Sequence, residues 1–265
     1  MPEANPNAAP YTADLALLQS AAHTAADIAL RHFRGNYQTW DKPGGAGPVT
    51  EADLEIDAML RDTLTTARPT YGWLSEETED DAARLTKPNT FIIDPIDGTR
   101  AFAAGEKHWG HSLAIAENGQ ITAAVVAMPA IGKIYWATRG GGARDETGPL
   151  QVSPQSNLDQ AQILATKPNM DPAFWPNGTP GFKRHHRSSL AYRMALTASG
   201  RFDAMLTFRP TWEWDIAAGT LLVTEAGGTA TDQSGAPLTF NSAKAQTHGV
   251  IAGGPTHREI IAIRG

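Results

Sequence analysis

Apolar positions early in the chain recur at helical spacing. Leu15, Leu18, Ala22, Ala25, Ala29 and Phe33 trace one face, which predicts a helix over residues 12–33, closed by Gly35. Thr50-Glu51-Ala52-Asp53 reads as a capping box that opens a second helix to about residue 67. Residues 41–48 between them, rich in glycine and proline, are expected to form a mobile loop. Strand-like runs follow at 71–75, 91–94, 112–117, 121–128 and 133–138, with Asn118-Gly119 as a hairpin turn. Past a polar, glycine-rich stretch at 139–150 the pattern alternates. Strands are expected at 162–166, 204–208 and 248–252, helices at 189–198 and 215–226, and a last helix at the end. Hairpins first and alternation later predict an α/β (α+β) protein of two packed halves, residues 1–148 and 149–265.

Composition narrows the classes. With 265 residues, 41% of them hydrophobic, the chain can bury a real core. A formal net charge of −6 argues against a nucleic-acid polymer as partner. The absence of cysteine excludes disulfides, thiolate metal sites and a Cys nucleophile, and suits a cytoplasmic protein. Residues 1–10 lack the basic start and apolar core of a signal peptide and read as a tail. No apolar run approaches the ~20 residues of a membrane span.

The chemistry concentrates in Phe91-Ile92-Ile93-Asp94-Pro95-Ile96-Asp97-Gly98-Thr99. An apolar strand runs into two carboxylates three positions apart, followed by a glycine and a hydroxyl. Such a corner offers acids to a cation and backbone N–H groups to a phosphate. Glu76 and Glu77 end another strand, Asp215 starts a helix, and Asp53 sits in the first turn of the second helix. Each also has a plain reading: Asp53 as a cap, Asp215 as a charge favoured by the helix dipole, and Glu76 to Asp81 as a solvated run. If Glu76, Asp94, Asp97 and Asp215 converge, bare carboxylates ~4 Å apart repel by about 4 kcal/mol per pair at an effective dielectric near 20. Only cations or raised pKa values relieve that. An all-oxygen ligand set selects hard cations, Mg²⁺ best. Two such ions about 3.5–4 Å apart can activate a water and stabilise a leaving oxygen.

These residues resemble the inositol monophosphatase superfamily. Asp94-Pro95-Ile96-Asp97-Gly98-Thr99 is similar to its first signature and Trp214-Asp215-Ile216-Ala217-Ala218-Gly219 to its second. Val49 to Asp53 and Ser75-Glu76-Glu77 resemble the segments supplying an aspartate beside the metals and a metal-binding glutamate. Thr224 to Gly228 matches a stretch seen after the second signature. The motifs stand in the expected order over residues 49–228. The resemblance implies a layered αβαβα fold and a lithium-sensitive, Mg²⁺-dependent phosphomonoesterase acting on a small phosphate ester, often as a homodimer. It implies Glu76, Asp94 and the Ile96 carbonyl around one Mg²⁺, and Asp94, Asp97 and Asp215 around a second, with room for a third near Glu76. Thr99, bonded to Asp53, would orient the attacking water with help from Glu76. Gly98 and Thr99 would cradle the substrate phosphate.

The substrate is less defined. Where inositol monophosphatases carry a glutamate that contacts inositol hydroxyls, this chain has Phe208, or Thr207 with a one-residue slip. Arg100-Ala101-Phe102 follows the first signature, where Arg100 could serve a second phosphate or a structural ion pair. Glu213 before Trp214-Asp215 fits the 3′(2′),5′-bisphosphate nucleotidases. Trp109-Gly110 and the Arg100 stretch fit histidinol-phosphatases. Lys183, Arg184 and Arg187, just before a predicted helix, are expected to grip a second phosphate and favour the nucleotidase; a solvated basic loop is the alternative. His185-His186, Trp212 with Trp214, and Gly140-Gly141-Gly142 read more simply as surface, packing and a hairpin tip. Outside the leading class stand a sugar bisphosphatase and a non-catalytic regulatory protein on the same fold.

Overall fold

The first helix runs over Ala9–His32 (α1). The computed structural model describes residues 9–42, 44 and 47–264. Residues 1–8 of the expected tail lie outside the described residues, whereas Ala9 and Pro10 already belong to α1. Of the loop expected at 41–48, Pro43, Gly45 and Ala46 also lie outside them. Its flanks form a short antiparallel hairpin, β1 (Thr39–Asp41) and β2 (Pro48–Thr50), closed by Lys42 N–H donating to the Gly47 carbonyl at 2.8 Å.

Helix α2 covers Glu51–Ala67. Its capping box forms as the sequence indicates. Asp53 N–H donates to Thr50 Oγ1 and the Asp53 carboxylate accepts from Thr50 N–H, so two otherwise unpaired donors are satisfied.

A seven-stranded sheet follows: β3 (Gly72–Ser75), β4 (Asn89–Asp97), β5 (Gly110–Glu117), β6 (Gln120–Met128), β7 (Lys133–Thr138), β8 (Gly142–Asp145) and β9 (Gly148–Pro149), in that spatial order. β3 and β4 are parallel and every other pair is antiparallel. Asn118 and Gly119 turn β5 into β6 with φ of 49° and 80°, the left-handed geometry that a tight hairpin requires. α3 (Thr99–Ala103) leaves the end of β4.

The second sheet has the order β11-β10-β12-β16-β14, from β10 (Gln162–Leu164), β11 (Lys183–His185), β12 (Ala204–Thr207), β14 (Thr229–Thr231) and β16 (Val250–Gly253). A two-stranded ribbon pairs β13 (Thr211–Trp212) with β15 (Gln246–Thr247). Helices α4 (Leu190–Ala198), α5 (Glu213–Glu225) and α6 (Pro255–Arg264) complete the chain.

Alternation along β4 explains the layering. Phe91 and Ile93 face the cluster with Leu18, Ala22 and Ala25 of α1 and Ile56 and Leu60 of α2. Ile92 faces the opposite cluster, with Leu190 and Met194 of α4, Leu222 of α5, and Met205 and Val250 of the second sheet. Ile163, Leu206 and Ile251 then turn to a third cluster with Ile260 of α6. The layers are therefore αβαβα, the expected fold. The division expected at residue 148/149 falls within β9, where the chain leaves the large sheet, and the central cluster draws from both sides of it. Six short strands, β8, β9, β11, β13, β14 and β15, and the β1–β2 hairpin were not anticipated. Each is two to four residues long and carries no readable period.

Candidate active site

The strand-end acids are placed by an irregularity in the large sheet. β4 pairs with β5 in register up to Asp94 opposite Ser112, slips, and resumes with Asp97 opposite Gly110. Pro95 cannot donate to the ladder, which allows the slip. The buried His111 fills the gap: its Nδ1 bonds the Pro95 carbonyl. Burial pushes His111 down to about 4, so the ring is neutral at pH 7 and its Nδ1–H donates to that carbonyl. Gly98 then turns the chain with φ 98°, where an added Cβ would press on the His108 carbonyl at 3.2 Å. Thr99 begins α3.

Asp94, Ile96, Asp97, Gly98, Thr99, Glu76 and Asp215 all line one cavity of about 390 Å³. Carboxylate oxygens of Glu76, Asp94 and Asp215 lie within 4.8 Å of one another. Asp94 is 1% exposed, and neither of its oxygens has a hydrogen-bond partner. Burial first, then Glu76, Asp97 and Asp215, push its carboxyl well above the usual range. Asp215 is raised by burial and by Asp97 and Glu76, against Arg209 and Lys42.

Asp97 is held differently. Its Oδ2 accepts from Ser189 Oγ at 2.7 Å and Ala191 N–H at 2.6 Å, at the start of α4. Burial raises it to about 6 against those bonds. Behind the wall, buried Asp53 accepts from Thr50 Oγ1 at 2.5 Å and from Thr99 Oγ1 at 3.2 Å. Thr99 Oγ1 also lies 3.1 Å from the Ile96 carbonyl. Burial pushes Asp53 up to about 6.

Lys42 provides an internal counter-charge. Its ammonium stands 2.7 Å from both Glu76 Oε1 and Glu77 Oε1. Burial would lower its pKa, but the two glutamates outweigh that and raise it. Burial and the Glu76 charge lift Glu77 to about 7 even so.

The donor set fits a hard divalent cation. It is all oxygen and convergent, with Glu76 and Asp215 half-buried around a buried carboxylate, Asp94, whose lack of any partner is unfavourable. Glu76, Asp94 and Asp215 form the tight set. Asp97 reaches the same cavity with one oxygen already engaged by α4.

The substrate side departs from expectation. Among Lys183, Arg184 and Arg187, none lines the cavity. Lys183 and Arg184 lie in edge strand β11, Arg184 bonding the Ala165 carbonyl at 3.1 Å, while Arg187 sits 5.7 Å over the Phe202 ring. The basic residues in the wall are Arg100, His186, Arg193 and Arg209. Arg193 was hidden on an apolar helix, and its signal was one charge at a position where α4 is otherwise fully buried. Arg209 follows the segment expected to carry a glutamate. Thr207 and Phe208 themselves are core, with Phe208 packed on Phe174 and Trp175.

Glu213 is a structural anchor that accepts the N–H groups of Asn241 and Ser242 at 2.6 and 2.9 Å. Trp212, expected to pack, is 43% exposed, lines the cavity and stacks on Trp214 with ring centroids 4.7 Å apart. Trp109 is buried core. The glycine tip is pinned by Glu225, which accepts from Gly140 and Gly142 N–H at 2.8 and 2.9 Å.

Comparison with known proteins gives a concordant picture. The model of the inositol monophosphatase family matches residues 11–263. An inositol-1-monophosphatase of Rhizobium meliloti is 36% identical over 207 residues, covering 72% of this chain and 74% of the relative. A histidinol-phosphatase of Chlorobaculum parvum is 31% identical over 84% of this chain and 87% of its own. Among solved structures, the extragenic suppressor protein suhB of Bartonella henselae superposes with a TM-score of 0.83 at 27% identity, covering 95% of this chain and 98% of that one.

Proposed function

The chain belongs to the inositol monophosphatase family and is a phosphoric monoester hydrolase; we propose that it hydrolyses esters of the inositol 1-phosphate type with Mg²⁺ and an activated water. The observation that carries this is the Asp94 carboxylate, buried and unpaired beside Glu76 and Asp215 at the floor of an open cavity. The named relatives favour this reading over the bisphosphate nucleotidase expected from the sequence.

In this reading Glu76, Asp94 and the Ile96 carbonyl would hold one Mg²⁺, Asp94, Asp97 and Asp215 would hold a second, and Glu76 could share a third. Mg²⁺ supplies Lewis acidity at phosphate oxygens and a lowered pKa for its water. Gly98 and Thr99, at the start of α3, hold the phosphate through backbone N–H groups. The Thr99 hydroxyl accepts a hydrogen bond from the attacking water and passes its own proton toward Asp53, 3.2 Å away. With a pKa near 6, Asp53 is a competent base at neutral pH. The resemblance also implies a homodimer, which light scattering checks, and a cytoplasmic setting. Among the described residues no helix is long and apolar enough to cross a membrane.

The test is phosphate release from inositol 1-phosphate, histidinol phosphate, 3′-phosphoadenosine 5′-phosphate and fructose 1,6-bisphosphate, each with Mg²⁺. Turnover of inositol 1-phosphate, inhibited by millimolar lithium, is expected. No turnover of any ester by protein with metal confirmed bound would overturn the reading.

A further inference from the structure

The cavity wall formed by α4 and the segment after β12 is basic, and none of the roles above uses it. Arg193 on α4 is only 4% exposed. Its Nε donates to the Arg187 carbonyl at 2.6 Å, and its Nη2 lies 3.3 Å from His186 Nδ1. These contacts fix the guanidinium and leave donors for the cavity. No ion pair among the described residues includes Arg193, Arg209 or Arg100. Asp97, whose charge attracts Arg193, has its Oδ2 already engaged by Ser189 and Ala191. Arg209 lies exposed beside the same cavity. Burial, and then the charge of Arg209, pull the Arg193 guanidinium down to about 10 against the attraction of Asp97 and Asp215, neither of which forms an ion pair with it.

A buried cation without a paired anion is unfavourable, and two guanidiniums that repel one another gain when an anion lies between them. A neutral polyol offers no such anion. The acidic residues lining the cavity are Glu76, Asp94, Asp97 and Asp215, all in the proposed metal corner. The basic wall carries donors and no carboxylate to accept from hydroxyls.

We propose that Arg193 and Arg209 form an anion subsite for the leaving alcohol, so that the enzyme prefers phosphate monoesters whose alcohol carries a second anionic group. This rests on the phosphatase reading above and adds a ranking to it: inositol 1-phosphate, whose alcohol is neutral, is turned over but is a poorer ester than one with a second anion.

The experiment compares kcat/KM, with Mg²⁺, within two ester pairs. Adenosine 3′,5′-bisphosphate against adenosine 3′-phosphate tests a second phosphate. 3-Phosphoglycerate against glycerol 3-phosphate tests a carboxylate. Wild-type enzyme is expected to favour the extra anion at least about tenfold in one pair, and the pair that responds identifies the group. Arg209→Met should cut that preference about tenfold, Arg209→Lys should retain part of it, and Arg184→Met, outside the cavity, should keep it. Arg209 is exposed, so its replacement spares the core. Ratios near one in both pairs, or a preference unchanged in Arg209→Met, overturn the subsite while the phosphatase reading stands. No turnover of all four esters by enzyme that hydrolyses inositol 1-phosphate also overturns the subsite alone; only failure on inositol 1-phosphate as well, with metal confirmed bound, overturns both.

Discussion

Replacing Asp94 with Asn should stabilise the metal-free protein while abolishing its activity. Ligand oxygens of Asp94, Glu76 and Asp215 lie within 4.8 Å of one another. At that separation two full charges repel by about 3.5 kcal/mol at an effective dielectric near 20. Asp94 meets two such neighbours, so full ionisation would cost about 7 kcal/mol at that separation. Two things reduce it: the Lys42 ammonium 2.7 Å from Glu76, and protonation of the cluster. A net gain of about 1–3 kcal/mol at pH 8 remains, or roughly 3–10 °C in melting temperature for a chain of this size.

The sign follows from linkage. The folded Asp94 pKa is raised, so the stability its proton confers is fully present below the ordinary value of 3.8 and is lost as pH rises through the folded pKa. The Asn variant mimics the protonated state. It should therefore come closest to wild type near pH 4, just above that ordinary value, and exceed it at pH 8. Calorimetric melts in EDTA at both pH values, repeated with Mg²⁺, give the readout. Mg²⁺ should raise the wild-type melting temperature and leave Asp94→Asn nearly unmoved. A variant less stable than wild type in EDTA at pH 8, or one that keeps the full Mg²⁺ response, would refute the reasoning.

Other perturbations probe the neighbouring contacts. Lys42→Met should lower metal-free stability by about 1–3 kcal/mol, because Glu76 and Glu77 lose the ammonium 2.7 Å from each; it should also tighten Mg²⁺ severalfold in calorimetric titration, since that ammonium competes for Glu76. Thr99→Ala should cut kcat by about 10²–10⁴ while moving the melting temperature little, because Thr99 links the water position to Asp53. His111→Ala should cost about 2–4 kcal/mol and weaken Mg²⁺ binding, because the bond from its ring to the Pro95 carbonyl sets the step between Asp94 and Asp97; unchanged Mg²⁺ affinity would count against that positioning role.

The acidic half of the site was readable because its chemistry is local. A buried strand, two acids astride Pro95 and a glycine at positive φ occupy adjacent positions, and each feature constrains the next. The capping box at Thr50 was readable for the same reason, and it brought Asp53 into account. The basic half was not. Its wall joins a buried helix face at Arg193 to the segment after β12 at Arg209, and only the packing of the second sheet on the first brings them to the cavity. The run from Lys183 to Arg187 looked better in sequence because its charges are adjacent. Strand β11 places Lys183 and Arg184 at the edge of the second sheet, outside the cavity, with Arg184 bonded to the Ala165 carbonyl, and Arg187 lies over the Phe202 ring. His111 carried no sequence signal, since its role exists only where the β4–β5 register slips.

The central claim is that this corner hydrolyses a phosphate monoester through cations held by Glu76, Asp94, Asp97 and Asp215. Its most direct test is phosphate release from inositol 1-phosphate by metal-stripped protein, before and after Mg²⁺ is restored, with Asp94→Asn in parallel. The account predicts no release without metal, release on adding Mg²⁺, and none from the folded Asn variant. Release that persists in EDTA, or near-normal turnover by Asp94→Asn, would contradict it.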